Sequence, residues 1–510
     1  MPPFLTRIHR HPTARTALLV ALALAIPLFL YGPWVPFTDL IGFCGLDSFP
    51  PSLSYGPYHY YVFQFTYILP HALSRAFMDL GMGPRVQVPL FYFAQMAAFL
   101  FVTWRLLDMF VASVVWRRIF LILGGISAWD GLFLWGGPFA YSMAAALLAL
   151  ATYYSLREAA SPERTAHWPT ALLALLAVAS HPFALPFALM LFGARILFLR
   201  RSRWHAALLI LLLLLYQVII TRENPEPIPG PILSQLFSWY PQALLERFQQ
   251  LFDWNSETVD LLFSAQPTAL VIYFIGLGII RIVGFLASPI VALRPGTPPA
   301  LRMLALLNTG VFVLYLFSRD STLISMWPQR ILTFHSYLTY VCGVALPLAL
   351  LQNWQARRKT DRPVSSRPWL SPALEGAALL FLIAVQLPLM SLGRVVEENF
   401  QHAKQQLLES GVRDAILITK VVNVQPFFVR SVPFLLFSDP DIIRRHLLIF
   451  TEWHAQPRHP TRLAEMTLPS SRPHYELLLA KARNGLLTLE ISPLLNQPAS
   501  PGPSAPPANH

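Results

Sequence analysis

The chain has 510 residues, 55% of them hydrophobic and 13% charged, with a mean hydropathy of +0.49. Ordinary globular proteins carry about 25% charged residues, and long apolar runs recur along most of this chain, so a soluble enzyme and a disordered protein are both excluded. Thirty-eight Lys and Arg against 26 Asp and Glu give a net charge of +12, which in a soluble protein would point to nucleic acid and in a membrane protein records orientation.

A basic N-terminal flank, 1–16, precedes an apolar helix at 17–31. Gly32-Pro33-Trp34 follows in place of a small-residue cleavage site, so the segment reads as a retained signal anchor. A helix needs about 20 apolar residues to cross a bilayer. Further candidate spans lie at 87–104, 119–134, 138–155, 169–181, 183–199, 204–220, 261–283, 303–317, 331–351 and 372–392, about eleven in all with the first. The stretch 169–199 would be roughly 46 Å long as one helix, and His181-Pro182 with Pro186 divides it into two short ones. Segment 58–78, rich in aromatics and carrying His59, His71, Arg75 and Pro70, either crosses or lies at the interface.

Charge orients this array. With the N-terminus inside and 58–78 not crossing, the inner segments 1–16, 105–118, 156–168, 200–203, 284–302 and 352–371 hold 18 Lys and Arg, and the outer loops hold six. The reverse assignment of the first hairpins narrows that difference. The bias of basic residues towards the cytoplasm therefore favours the first topology, and the excess charge needs no nucleic-acid partner.

After residue 392 charged residues become denser, 22 in 118 against 42 in 392 before. Residues 394–409 read as an amphipathic helix, Ala415–Thr419 and Leu487–Ile491 as strands, Arg444–Phe450 as a third strand, and Ser471–Leu487 as containing a helical stretch. The expectation is a small α/β domain over 393–497 outside the membrane, then a Pro-rich disordered tail at 498–510. The two cysteines, Cys44 and Cys342, read as apolar packing. The chain holds no nucleotide-binding glycine loop, no metal-type Cys/His spacing and no Gly-x-Ser-x-Gly elbow.

Polar groups near membrane depth are costly unless paired or used. Asp39 stands early in the long first outer loop, 32–86, where a carboxylate serves as a general base or a divalent-cation ligand, or simply as a solvated interfacial acid. Asp130 ends the third span on the same predicted side, as a second acid or as a helix cap. Arg330 immediately precedes a late span, placed either to clamp a phosphate or to snorkel to headgroups. His181 either lines a cavity or caps the helix break, and His59 sits in the aromatic stretch.

Taken together these features resemble the GT-C superfamily of polytopic membrane glycosyltransferases. The resemblance rests on the long first outer loop with Asp39, on Gly137–Tyr141 leading into the small-residue span MAAALLALATYY, and on short helices around Ser180-His181-Pro182-Phe183. Pro328–Arg330 before a late span and a domain after the last span complete it. It covers 17–392 and departs from the paired Asp-Glu of the protein-mannosyltransferase-like members, since Leu40 follows Asp39. The resemblance implies an integral protein of a bacterial inner (plasma) membrane that takes a sugar from a polyprenyl-phosphate-linked donor. The sugar passes to a lipid, glycan or protein acceptor at the outer face. Asp39 and Asp130 would be catalytic, with Mg or Mn between them if a metal takes part, and Arg330, His181 and His59 would bind substrate; no nucleotide cofactor is implied. The alternatives from other classes are a transporter or flippase, and a non-enzymatic membrane assembly protein.

Overall fold

A computed structural model describes residues 15–20 in part, 68–130 except 83, 139–161, 167–199 except 182, 202–223, 268–317, 328–357, 397–422, 439–451, 473–481 and 486–493, with a few isolated positions. The described chain is mostly helical, with one small sheet. Its helices are α1 (Ile68–Asp79), α2 (Pro84–Phe110), α3 (Val114–Asp130), α4 (Phe139–Ala160), α5 (Trp168–Ser180), α6 (Ala184–Phe198), α7 (Arg203–Glu223), α8 (Thr268–Leu293), α9 (Pro299–Phe317) and α10 (Pro328–Arg357). Two stretches, Phe93–Phe110 within α2 and Pro299–Phe317, are long and apolar enough to cross a membrane by length and composition. Shorter apolar helices surround them, among them α5, α6 and the first part of α7.

The predicted segments from 87 to 351 each overlap a described helix. The largest shift is at α8, expected to end at 283 but continuing to Leu293. The ten added residues, 284–293, are apolar apart from Ser288 and Pro289, and one proline removes one backbone hydrogen bond without ending the helix. The described half of segment 58–78 is α1, whose 12 residues span roughly 18 Å and pack against α4 and α5. Residues 58–67, the first span beyond residue 20 and most of 372–392 lie outside the described residues.

Helix α4 stands at the centre, touching α1, α2, α5, α6 and α9. Its sequence explains that position. Ala144, Ala145, Ala149 and Ala151 are all buried, and small side chains let neighbouring backbones approach closely. The tightest crossing is between α8 and α10. A Cβ on Gly284 would lie 2.0 Å from the Thr339 carbonyl oxygen, and one on Gly343 would lie 2.0 Å from that of Ile280. Neither position has room for any side chain.

The C-terminal part forms an α/β unit. Helix α11 (397–409) buries Phe400, Ala403 and Leu407, spaced three and four residues apart as one helical face requires. Gly411, at φ +72°, lets the chain leave the helix. The strands are β1 (Ile416–Val422), β2 (Leu448–Thr451), β3 (His474–Lys481) and β4 (Leu487–Pro493), in the order β2-β1-β3-β4. Strand β1 runs parallel to both β2 and β3, with Ile416 opposite Leu448 on one side and His474 on the other, and β4 runs antiparallel to β3. A short helix α12 (Pro440–Ile443) precedes β2.

The structure departs from the sequence expectation at two strands. The predicted helical stretch within Ser471–Leu487 is strand β3, because HYELLLAK is held between β1 and β4 and strand pairing overrides the helix preference of Glu, Leu and Ala. The strand expected over Arg444–Phe450 begins at Leu448, because Arg444–His446 turn and His446 takes φ +55°.

Candidate functional site

Helix connections gather the charge at one end of the bundle. Helices α2, α4, α6 and α8 end there, and α3, α5, α7 and α9 begin there. Arg105 near the end of α2 donates from Nε to the Tyr153 hydroxyl near the end of α4, 3.1 Å away. The Ser155 hydroxyl of α4 reaches Thr170 of α5 at 3.4 Å. His167, before α5, stacks on His205 in α7 with ring centroids 5.7 Å apart. Arg302 in α9 donates to the Ala292 carbonyl of α8 and sits over the Phe198 ring at the end of α6. Arg105, Arg117, Arg118, Arg157, Arg195, Arg203, Arg294 and Arg302 all belong to this end. The described acids among them are engaged. Asp108 pairs with Arg105 and Arg117, and Glu158 is buried.

Glu158 anchors the most enclosed charged cluster among the described residues. Its Oε2 accepts from Arg195 Nη2 at 2.6 Å, with both side chains 3% exposed. Its other oxygen lies 2.5 Å from His167 Nδ1. Arg195 Nη1 donates to Ser155 at 3.0 Å and Thr170 at 3.3 Å. The cluster thus ties α4, α5 and α6 through one guanidinium. Both carboxylate oxygens are occupied and the site is closed, so the arrangement holds charge and does not transfer it. The sequence signal was present: Arg195 stands inside an otherwise apolar run, and a charge buried among apolar side chains needs a partner. That partner lies 37 residues away, a pairing visible only once the hairpins are folded.

No known family matches the chain, and no curated protein is similar enough in sequence to count as a relative.

The residues singled out from sequence fall away from the basic end or outside the described residues. Asp130 is the last residue of α3 and Arg330 the third of α10; their backbones are placed and their side chains lie outside the description. Asp39 and His59 lie outside it altogether. His181 is described. It follows α5 at the end of that helix remote from the basic cluster, is 1% exposed, and its Nδ1 accepts the Phe183 N–H at 3.1 Å. Its ring meets the Phe183 ring edge-on at 5.2 Å. This is the helix-capping alternative of the two that its sequence context allowed. Because α3 and α5 both start at the basic end, Asp130 and His181 share the opposite end of the bundle. Asp39 and the side chains of Asp130 and Arg330, the three groups expected to share a site, lie outside the described residues. Among the described residues no group of three or more His, Cys, Asp or Glu side chains gathers to hold a metal.

Between the two ends runs a buried polar chain. Thr339 of α10 donates to Asn308 Oδ1 at 2.9 Å, Asn308 Nδ2 donates to Ser288 of α8 at 2.9 Å, and Ser288 donates to the Gly284 carbonyl at 2.6 Å. Thr103 of α2 lies 3.1 Å from the Tyr337 hydroxyl of α10. In the α/β unit, Lys404 of α11 binds Asp439 at 2.9 Å and Asp441 at 2.6 Å. Burial pushes Lys404 down, and the hydrogen bonds and charges of Asp441 and Asp439 more than reverse this, leaving it above the usual lysine value. The Lys404 hydrogen bond and charge hold Asp441 below the ordinary carboxylate range.

Proposed function

We propose that the chain is a polytopic membrane glycosyltransferase that moves a sugar from a polyprenyl-phosphate-linked donor to an acceptor at the outer face. The observation that carries this reading is the pair of short helices α5 and α6, which meet at Ser180, His181 and Phe183 inside the bundle. A short helix pair broken within the membrane region is a feature of the architecture that the sequence resembles. It also leaves backbone turning where a substrate cavity tolerates it. The reading carries with it about eleven spans, a cytoplasmic N-terminus in a bacterial plasma membrane, and an outer α/β domain.

In this reading Asp39 accepts the proton of the acceptor hydroxyl as that oxygen attacks the anomeric carbon. The bond from that carbon to the phosphate oxygen breaks, and its electron pair leaves with the lipid phosphate. Arg330 holds the negative charge that develops there, and Asp130 is the second acid of the site. Mg or Mn is the metal that two such acids would take.

The test uses the purified full chain with a panel of polyprenyl-phosphate sugars. Wild type transfers sugar from at least one donor, Asp39→Asn falls by a factor on the order of a hundred or more, and Arg330→Gln weakens donor use. Full activity in Asp39→Asn removes that residue from the mechanism. A folded wild-type chain that transfers from no donor, yet moves a lipid-linked sugar between leaflets, favours a flippase.

A further inference from the structure

The basic end of the bundle carries a second feature, a rim of exposed tryptophans. Trp116 lies near the start of α3, Trp168 opens α5 and Trp204 is the second residue of α7. They are 49%, 66% and 87% exposed. The His167–His205 stack ties the starts of α5 and α7 together, and the close of α2 into α3 brings Trp116 to the same end. Arg157, Arg203, Arg294 and Arg302 are exposed on this end as well. Away from the rim, α7 turns Leu208, Leu211, Leu212 and Leu215 outward, and α8 turns out Ile282, Leu286 and Ile290.

The order along the helices is therefore arginine and tryptophan first, then uninterrupted exposed aliphatic surface. We infer that this rim is a binding surface for anionic phospholipid headgroups, with the indoles at the interface and the aliphatic faces against the acyl chains. Charge complementarity selects an anionic partner, because Asp108 and Glu158, the described acids here, are already engaged by arginine or histidine. The aliphatic band selects a lipid over a nucleic acid, whose phosphates have no use for exposed Leu and Ile. Indole rings favour the headgroup level, and each basic side chain near an anionic leaflet adds to the attraction.

The inference rests on the membrane placement in the proposed function and not on the glycosyl-transfer reaction. Its test is tryptophan quenching of the full chain in nanodiscs containing brominated phosphatidylglycerol or brominated phosphatidylcholine. Wild type is quenched more by the anionic lipid at low salt, and high salt reduces that preference as screening requires. Trp168→Phe with Trp204→Phe removes most of the preferential quenching. Arg157→Gln, Arg203→Gln and Arg294→Gln together lower the preference on the order of tenfold or more. Equal quenching by the two lipids at low salt overturns the proposal with wild type alone, whatever the folding of the variants. A chain that stays monodisperse in buffer without detergent defeats the membrane placement itself and leaves the reaction to its own assay.

Discussion

Glu158 and Arg195 pose the sharpest energetic question at the scale of single residues. Taking two charges out of water costs several kcal/mol each, and their attraction repays it only when hydrogen bonds complete both groups. Here Ser155 and Thr170 complete Arg195 by hydrogen bonds, and His167 stands against the second oxygen of Glu158. Removing one partner is then far worse than removing both. Glu158→Gln is expected to destabilise the folded chain by about 3–5 kcal/mol, read as a fall in thermal or denaturant midpoint in detergent. Glu158→Met combined with Arg195→Met should recover most of that loss. A double variant as damaged as the single one would mean that the pair itself, and not the stranded guanidinium, supplies the stability. His181 teaches the complementary lesson. Its place between Ser180 and Pro182 gave the break without its chemistry, since the capping bond to the Phe183 N–H depends on a local turn that spacing alone does not specify.

Among the elements, the crossing of α8 over α10 is fixed by two glycines and a polar chain. Because a Cβ at Gly284 or Gly343 would fall on a carbonyl oxygen, no rotamer relieves the clash and the helices must separate. Gly343→Leu is expected to loosen α10, raising hydrogen exchange or protease susceptibility around 337–346, with an effect well beyond that of Gly193→Leu in α6, where the same probe meets nothing. Equal behaviour of the two variants would place the close approach in error. The sequence made these helices legible through their apolar runs and through the Pro-bounded short pair. It left the α8–α10 contact unread, since a glycine in an apolar run looks the same whether it faces lipid or another backbone. Strand β3 was misread for a related reason: Leu, Ala and Glu favour a helix locally, and only pairing with β1 and β4 decides otherwise.

The α/β unit offers a pH test at the same scale. Asp441 is held below its ordinary value, so its contribution is present above the usual carboxylate range and disappears as pH falls through the depressed value. Lys404 is held above its ordinary value, so its contribution is complete below the usual lysine range and disappears only as pH rises through the raised one. The expected stability from this contact is flat across neutral pH and declines at both extremes. Lys404→Met should lower the plateau and reduce the acid limb of the wild-type profile. An acid limb identical in the two proteins would assign acid unfolding to other carboxylates. The unit also protects its own edge: Asn399 and Gln406, two turns apart on α11, accept the N–H groups of Leu487 and Leu489 in β4 at 2.7 and 2.8 Å. That satisfies donors which an edge strand would otherwise offer to another chain.

For the whole molecule the decisive quantity is which face each end occupies. Alternation of α2 to α9 puts eight arginines at one end, and the same segments were the basic loops in the sequence, so folding and charge agree on a single polarity. In the proposed reading, basic loops stay in the cytoplasm, so that end would face inward, Asp130 and His181 outward, and the two spans expected from sequence after α9 would carry the α/β unit outward too. Single cysteines settle this in a background with Cys44→Ser and Cys342→Ala. Arg157→Cys and Arg294→Cys are expected to react with an impermeant maleimide only in inside-out vesicles, and Arg413→Cys, exposed beside β1, only in right-side-out ones. If positions 157 and 413 label from the same side, the α/β unit shares the basic face, and a role for it over an outer active site is lost. If 157 labels from outside, the polarity argued from charge is reversed, and Asp130 with it leaves the face on which a polyprenyl-linked donor would be used.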